Sequence, residues 1–222
     1  MASFRFIFAW SDRRSRALTL ALAASLLGVA SARPVFDGPV DSALAGVFGE
    51  NISDLVHVLF LVARNWLVGL IALRPFGYQR AWTTFMGAVA LAMIVTSRAG
   101  DARRYPVSDE WELHDALSVI YSVLYALTVG ATSALVVAAA VVALQSRRGI
   151  RRAPMIALAA VGVIGITYAI TTIALLIAAP GVLSDYAGVI VTAWSLPLNA
   201  ALAVAGLYGL GRPRTELAAT AA

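Results

Sequence analysis

Apolar side chains run almost unbroken through six stretches of the chain, at 17–32, 54–73, 82–97, 117–144, 155–178 and 186–210, and the polar residues collect in the intervals between them. The stretches are continuously apolar rather than alternating, which predicts helices and argues against the dyad-patterned strands of a membrane barrel. A hydrocarbon core of about 30 Å needs roughly 20 helical residues, so the first and third stretches are short and the fourth is long. Tilt or protrusion must absorb the difference. The pattern predicts an all-α fold, a polytopic transmembrane helix bundle of six spans occupying residues 17–210, with a tail at 1–16 and another at 211–222. The longest intervals between spans, 33–53 and 98–116, are too short to build a core of their own.

Composition sharpens this. Of the 222 residues 60% are hydrophobic and only 13% charged, and the mean hydropathy is +0.82, outside the range of soluble domains. The net charge of +5 does not point to nucleic acid, because the basic residues form short clusters beside apolar segments instead of one face. All 17 basic residues are arginine, the codon bias of a GC-rich bacterium, which predicts a bacterial plasma membrane as the location. There is no cysteine, so disulfides, thiolate metal sites and thiol nucleophiles are excluded.

The arginines also predict orientation. Twelve lie on one side: Arg5, Arg13, Arg14, Arg16, Arg74, Arg80, Arg147, Arg148, Arg151, Arg152, Arg212 and Arg214. Four lie on the other, Arg33, Arg98, Arg103 and Arg104, together with ten of the twelve acids. The positive-inside rule then puts both termini in the cytoplasm. Residues 1–32 admit a second reading, since a basic start, an apolar core and the small residues Ala30, Ser31 and Ala32 also describe a secretory signal peptide. Cleavage there would leave five spans; an uncleaved first span is the expectation.

The runs RALTLALAASLLGVASARPVFD, NISDLVHVLFLVARNWL, HDALSVIYSVLYALTVG and SRRGIRRAPMIALAAVGVIGITYAITTIALL resemble the uncharacterised multi-pass membrane proteins of actinobacteria, some of them described as transporters. The likeness lies in alanine- and valine-rich spans, arginine-only turns and small size. It implies a helical membrane protein and, through that description, transport; it implies no substrate and carries over no functional residue.

Arg64 is the main anomaly. It lies 11 residues into the second span and ten before Arg74, roughly 16 Å deep at 1.5 Å per residue. A centrally placed arginine costs about 2.5–3.5 kcal/mol on insertion scales, so it should face the bundle and find acceptors. No Asp or Glu lies in the interior of any span. The expected acceptors at similar depth are the Ala193 carbonyl left free by Pro197, together with Asn199, Thr128, Thr167 and Tyr168. Either Arg64 is satisfied by these groups or it forms a site for an anionic or polar solute, with Arg64, His57, Asn65, Tyr168 and Asn199 as candidate binding residues. Asp54 and His57 share a helix face at the mouth of span 2, and His114 and Asp115 stand at the mouth of span 4. These pairs have the chemistry to relay protons or hold a divalent metal, and equally to cap helices and complement their dipoles.

Ser122, Ala126, Gly130, Ala134 and Ala138 put a small residue at every fourth position of span 4, a stripe suited to close packing within the chain or in a homo-oligomer. No helical His-Glu-x-x-His, Gly-x-Ser-x-Gly, phosphate-cradling glycine loop or paired intramembrane acids is present, so an enzyme is not expected, nor a cofactor or resident metal. Two functions remain: a small-solute transporter with a midplane polar site around Arg64, or a membrane sensor or scaffold whose QSRRGIRRAP turn docks a cytosolic partner or anionic lipid. The expected partners are the lipid bilayer and a small anionic or polar solute, with no nucleic acid.

Overall fold

The computed structural model describes residues 52–74, 76–99, 116–146 and 152–179, with separate helical positions at 23, 26, 27, 43, 47, 182, 189, 193, 194, 196, 197 and 200. Four helices carry the described fold: α1 (Ile52–Ala72), α2 (Gln79–Ala99), α3 (Ala116–Ser146) and α4 (Arg152–Ala178). Each is long and apolar enough to cross a membrane. They correspond to the predicted spans 2 to 5. Span 1 is represented by helical positions 23, 26 and 27 and span 6 by 189, 193, 194, 196, 197 and 200; the rest of both lies outside the described residues. Helical positions 43 and 47 fall in the interval between spans 1 and 2, where no element was expected.

The helix boundaries differ most at α2. Hydropathy predicts 82–97, but the helix runs from Gln79 to Ala99, because helical backbone continues through Gln79, Arg80 and Arg98, polar residues that a hydropathy reading assigns to the flanking loops. Only one stripe of α2 is buried, Trp82, Met86, Val89, Met93 and Thr96 with Ser97, at the three-and-four spacing of a helix that packs on one side. Phe85, Leu91, Ile94 and Val95 face outward, as on a helix bathed in lipid.

α1 turns into α2 within six residues. Phe76 and Gly77 both donate their backbone N–H to the Leu73 carbonyl, at 3.0 and 3.1 Å, closing the end of α1. Gly77 has φ of +77°, a left-handed conformation that glycine adopts without a Cβ penalty. Two tryptophans then tie the hairpin. The Trp82 indole donates to the Trp66 carbonyl at 3.0 Å, and the Trp66 indole donates to Thr83 Oγ1 at 3.1 Å. The Trp82 ring lies where a side chain at position 69 would be, so Gly69 is what lets the indole reach the α1 backbone.

α1, α2 and α3 pack mutually around Leu55, Val58, Val62, Met86, Met93 and Tyr121, while α4 makes its extensive contact with α3. The α3–α4 contact is close and antiparallel: a Cβ on Gly130 would meet the Ala169 Cβ at 2.9 Å, one on Gly165 would collide with Ser133, and one on Gly162 would come 2.8 Å from the Ser133 carbonyl. The expected stripe on α3 therefore packs within the chain only along its first part. Ser122 and Ala126 are buried and Gly130 abuts Ala169, whereas Ala134 and Ala138 are exposed. A row of residues four apart drifts by about 40° per step around a helix of 3.6 residues per turn, so one row cannot stay on one interface for four steps.

The long fourth stretch resolves as protrusion. Asn65 is level with Thr128 and Thr132, and Val68 packs with Val136. α1 therefore ends well before α3 does, and α3 with α4 extends roughly 10 Å beyond the α1–α2 turn. Ala23 and Leu27 of the first stretch pack on the Leu67, Val68 and Val136 cluster.

Candidate functional site

α1 is buried along the row Leu55, Val58, Val62, Asn65, Gly69 and Ala72, and its neighbouring row brings in Arg64, Leu67 and Val68. Arg64 thus faces the bundle, 2% exposed, and Asn65 beside it is 1% exposed. The guanidinium folds back onto the next residue. Arg64 Nη2 donates to Asn65 Oδ1 at 3.1 Å, and Nε approaches the same oxygen at 3.4 Å. Because a guanidinium only donates, Asn65 must present its oxygen to Arg64 and its NH2 to the other side. That NH2 donates to Thr128 Oγ1 of α3 at 3.1 Å, and the threonine hydroxyl in turn donates to the Tyr125 carbonyl at 2.8 Å. One turn on, Thr132 Oγ1 donates to the Thr128 carbonyl at 2.7 Å and lies 3.4 Å from the Asn65 carbonyl. A chain of polar contacts therefore runs from the charge on α1 through an amide to two threonines on α3.

The phenol groups of Tyr125 and Tyr168 lie within electrostatic reach of Arg64, which brings α4 into the same layer. Tyr168 is 4% exposed and Thr172, one turn further along α4, is 1% exposed. Their hydroxyls approach one another along the helix without reaching hydrogen-bond geometry, so neither has a hydrogen-bond partner among the described residues. The Tyr168 ring packs against Trp194 of the last stretch, centroid to centroid 6.0 Å at 52°. No known protein family, curated protein or solved structure matches the chain.

The candidate residues separate by position. Arg64, Asn65 and Tyr168 share the layer. His57 is half-buried on α1, seven residues before Arg64, so about 10 Å along the same side of the helix. Asp54 lies in the first turn of α1; His114, Asp115 and Asn199 lie outside the described residues. Among the described residues no three His, Asp or Glu side chains cluster as a metal site would require. Of the expected acceptors, Thr128 takes part, but through Asn65. Thr167 does not: it is exposed and returns its hydroxyl to the Val163 carbonyl at 2.9 Å. Successive residues on a helix point about 100° apart, so burying Tyr168 turns Thr167 outward. Ala193 and Pro197 are helical and exposed.

Sequence reasoning passed over Thr132, Thr172 and Trp194. The signal for the first two was present as four-residue spacing, Thr128 to Thr132 and Tyr168 to Thr172, which places each pair on one helix face. Trp194 carried no such signal, because its role depends on which face of α4 the last stretch meets.

Chemically, the layer offers one buried guanidinium and two buried hydroxyls able to donate or accept. That set matches a small anion or a strongly polar solute.

Proposed function

We propose that this chain is a bacterial plasma-membrane protein of six spans with both termini in the cytoplasm, a relative of the actinobacterial multi-pass proteins it resembles. In this reading it carries a small anionic or strongly polar solute across the bilayer through the layer around Arg64. The observation that supports the reading most is the pair of buried hydroxyls on Tyr168 and Thr172, left without hydrogen-bond partners beside a buried guanidinium. A buried polar group without a partner costs about 1–3 kcal/mol, and keeping two of them next to a charge makes sense where a passing solute completes their hydrogen bonds. Asn65 fixes the guanidinium from one side; Asn199 is the further candidate from the last span. His57 extends the polar stripe toward one mouth.

The test is reconstitution of the purified chain alone into liposomes, with flux of chloride, nitrate, acetate and phosphate measured. Arg64→Lys keeps the charge but loses the forked geometry, and flux of the transported solute should fall about tenfold. Absence of flux for every solute with folded protein in the bilayer rejects transport. Topology has its own test in a chain without native cysteine: single cysteines at Ser108 and Ser184 should react with an impermeant thiol reagent from outside intact cells, and one at Ser146 should not. Labelling at 146 overturns the orientation.

One observation favours the sensor or scaffold reading. The end of α3 and the start of α4, which the arginine-rich segment joins in sequence, extend beyond the α1–α2 turn, where a cytosolic partner could dock. On that reading the chain copurifies with a partner and gives no flux.

A further inference from the structure

Away from the Arg64 layer, a groove of about 410 Å³ lies between the start of α2 and the middle of α3. Leu73, Tyr78, Ala81 and Phe85 line one side and Ala131 and Leu135 the other, with almost no polar surface. Its size is that of a small-molecule pocket, but its chemistry admits only hydrocarbon. Tyr78 and Phe85 remain 66% and 43% exposed, so the groove opens sideways to whatever surrounds the bundle. The described residues of the first and last stretches sit elsewhere: Ala23 and Leu27 on the Leu67, Val68 and Val136 cluster, and Trp194 on Tyr168.

Charge identifies the occupant. Arg74 follows the lining residue Leu73 and Arg80 precedes Ala81, and both arginines are exposed. An apolar crevice between helices with cations at its interfacial end is the arrangement that selects anionic lipid headgroups. We propose that the groove holds one acyl chain of an anionic phospholipid whose phosphate is held at the α1–α2 turn by Arg74, with Arg80 adding to the positive field. Tyr78 stands where the hydrocarbon meets the headgroup, the position that tyrosine favours at membrane interfaces. Trp82, which also lines the groove, has its indole tied to the Trp66 carbonyl. This site is independent of the Arg64 layer.

Native mass spectrometry of the full chain in detergent, titrated with phosphatidylglycerol or with phosphatidylcholine of the same acyl chains, tests the proposal. One phosphatidylglycerol per chain should be retained, with a preference of about tenfold over phosphatidylcholine, given two arginines near the headgroup. Ala81→Phe fills the groove from an exposed position, so it should abolish retention of both lipids while the melting temperature and helical content stay as in the parent. Arg74→Gln with Arg80→Gln should remove the preference and leave weak, equal retention. Equal retention of the two lipids by the parent chain overturns the proposal. So does full phosphatidylglycerol retention by Ala81→Phe. A disulfide between two copies formed in membranes by an Ala81→Cys variant would also overturn it, by giving the groove to a second chain.

Discussion

α3 holds its neighbours in two different ways. Toward α1 it presents Thr128 and Thr132, which take hydrogen bonds from Asn65 and reach the Asn65 backbone. Toward α4 it presents Ser133 and Val137, against which Gly165 and Gly162 press with no room for a Cβ. Inside a bilayer, lipid tails are as apolar as leucine and burial of apolar surface drives little association; helices are held by close packing of small residues and by hydrogen bonds. α3 uses packing on one face and polar contact on the other. The consequence for function is that the two faces tolerate change differently. A dry seam built on glycine has one arrangement, whereas a layer of amide and hydroxyl groups can exchange partners when a solute enters.

The seam should therefore be the more fragile. Gly162→Leu drives a side chain against the Val137 side chain and the Ser133 carbonyl, the latter a backbone atom that cannot move aside as a side-chain tip would, and should cost about 3 kcal/mol as measured by unfolding in mixed micelles. A change under 1 kcal/mol would mean that α3 and α4 are not so closely set. On the polar face, Asn65→Leu removes an acceptor of Arg64 and the donor to Thr128, and should cost about 2 kcal/mol in the same measurement. Trp82→Phe removes the bond to the Trp66 carbonyl together with the indole atoms that lie over Gly69, for an expected loss of about 1–2 kcal/mol. Thr167→Val changes an exposed residue whose hydroxyl returns to its own helix, and should move stability by less than about 0.5 kcal/mol. If Thr167→Val matched Asn65→Leu, the assignment of inward and outward faces on α4 would be wrong.

Much of this architecture was legible in the order of residues. Continuous apolar runs placed α1, α3 and α4 closely, since a helix crossing hydrocarbon must be apolar for most of its length. They placed α2 short at both ends, because Gln79, Arg80 and Arg98 are helical residues that hydropathy reads as loop. Arg64 was legible as inward-facing, since a charge at that depth has nowhere else to go. Its bond to Asn65 was not. Adjacent positions on a helix point about 100° apart and are not ordinarily paired, yet the length of the arginine side chain lets it fold back to Asn65, and Thr128 joins through that amide. Thr167 was expected at the site and faces away, a consequence of Tyr168 facing in. The small-residue row on α3 was read as one interface, and its drift around the helix divides it between α4 and the exterior.

The central claim is that the two hydroxyls of the Arg64 layer on α4, those of Tyr168 and Thr172, are kept for a solute and not for stability. Their hydroxyls contribute no hydrogen bond among the described residues, so Tyr168→Phe with Thr172→Val preserves the ring contact with Trp194 and the packing of α4. The melting temperature of parent and double variant, each measured with and without the anion that the flux assay identifies, gives the direct test. The account predicts that the double variant alone melts at or above the parent temperature and that the anion, which raises the melting point of the parent, no longer does so. A variant that is destabilised by several degrees, or that keeps the full anion-induced shift, contradicts it.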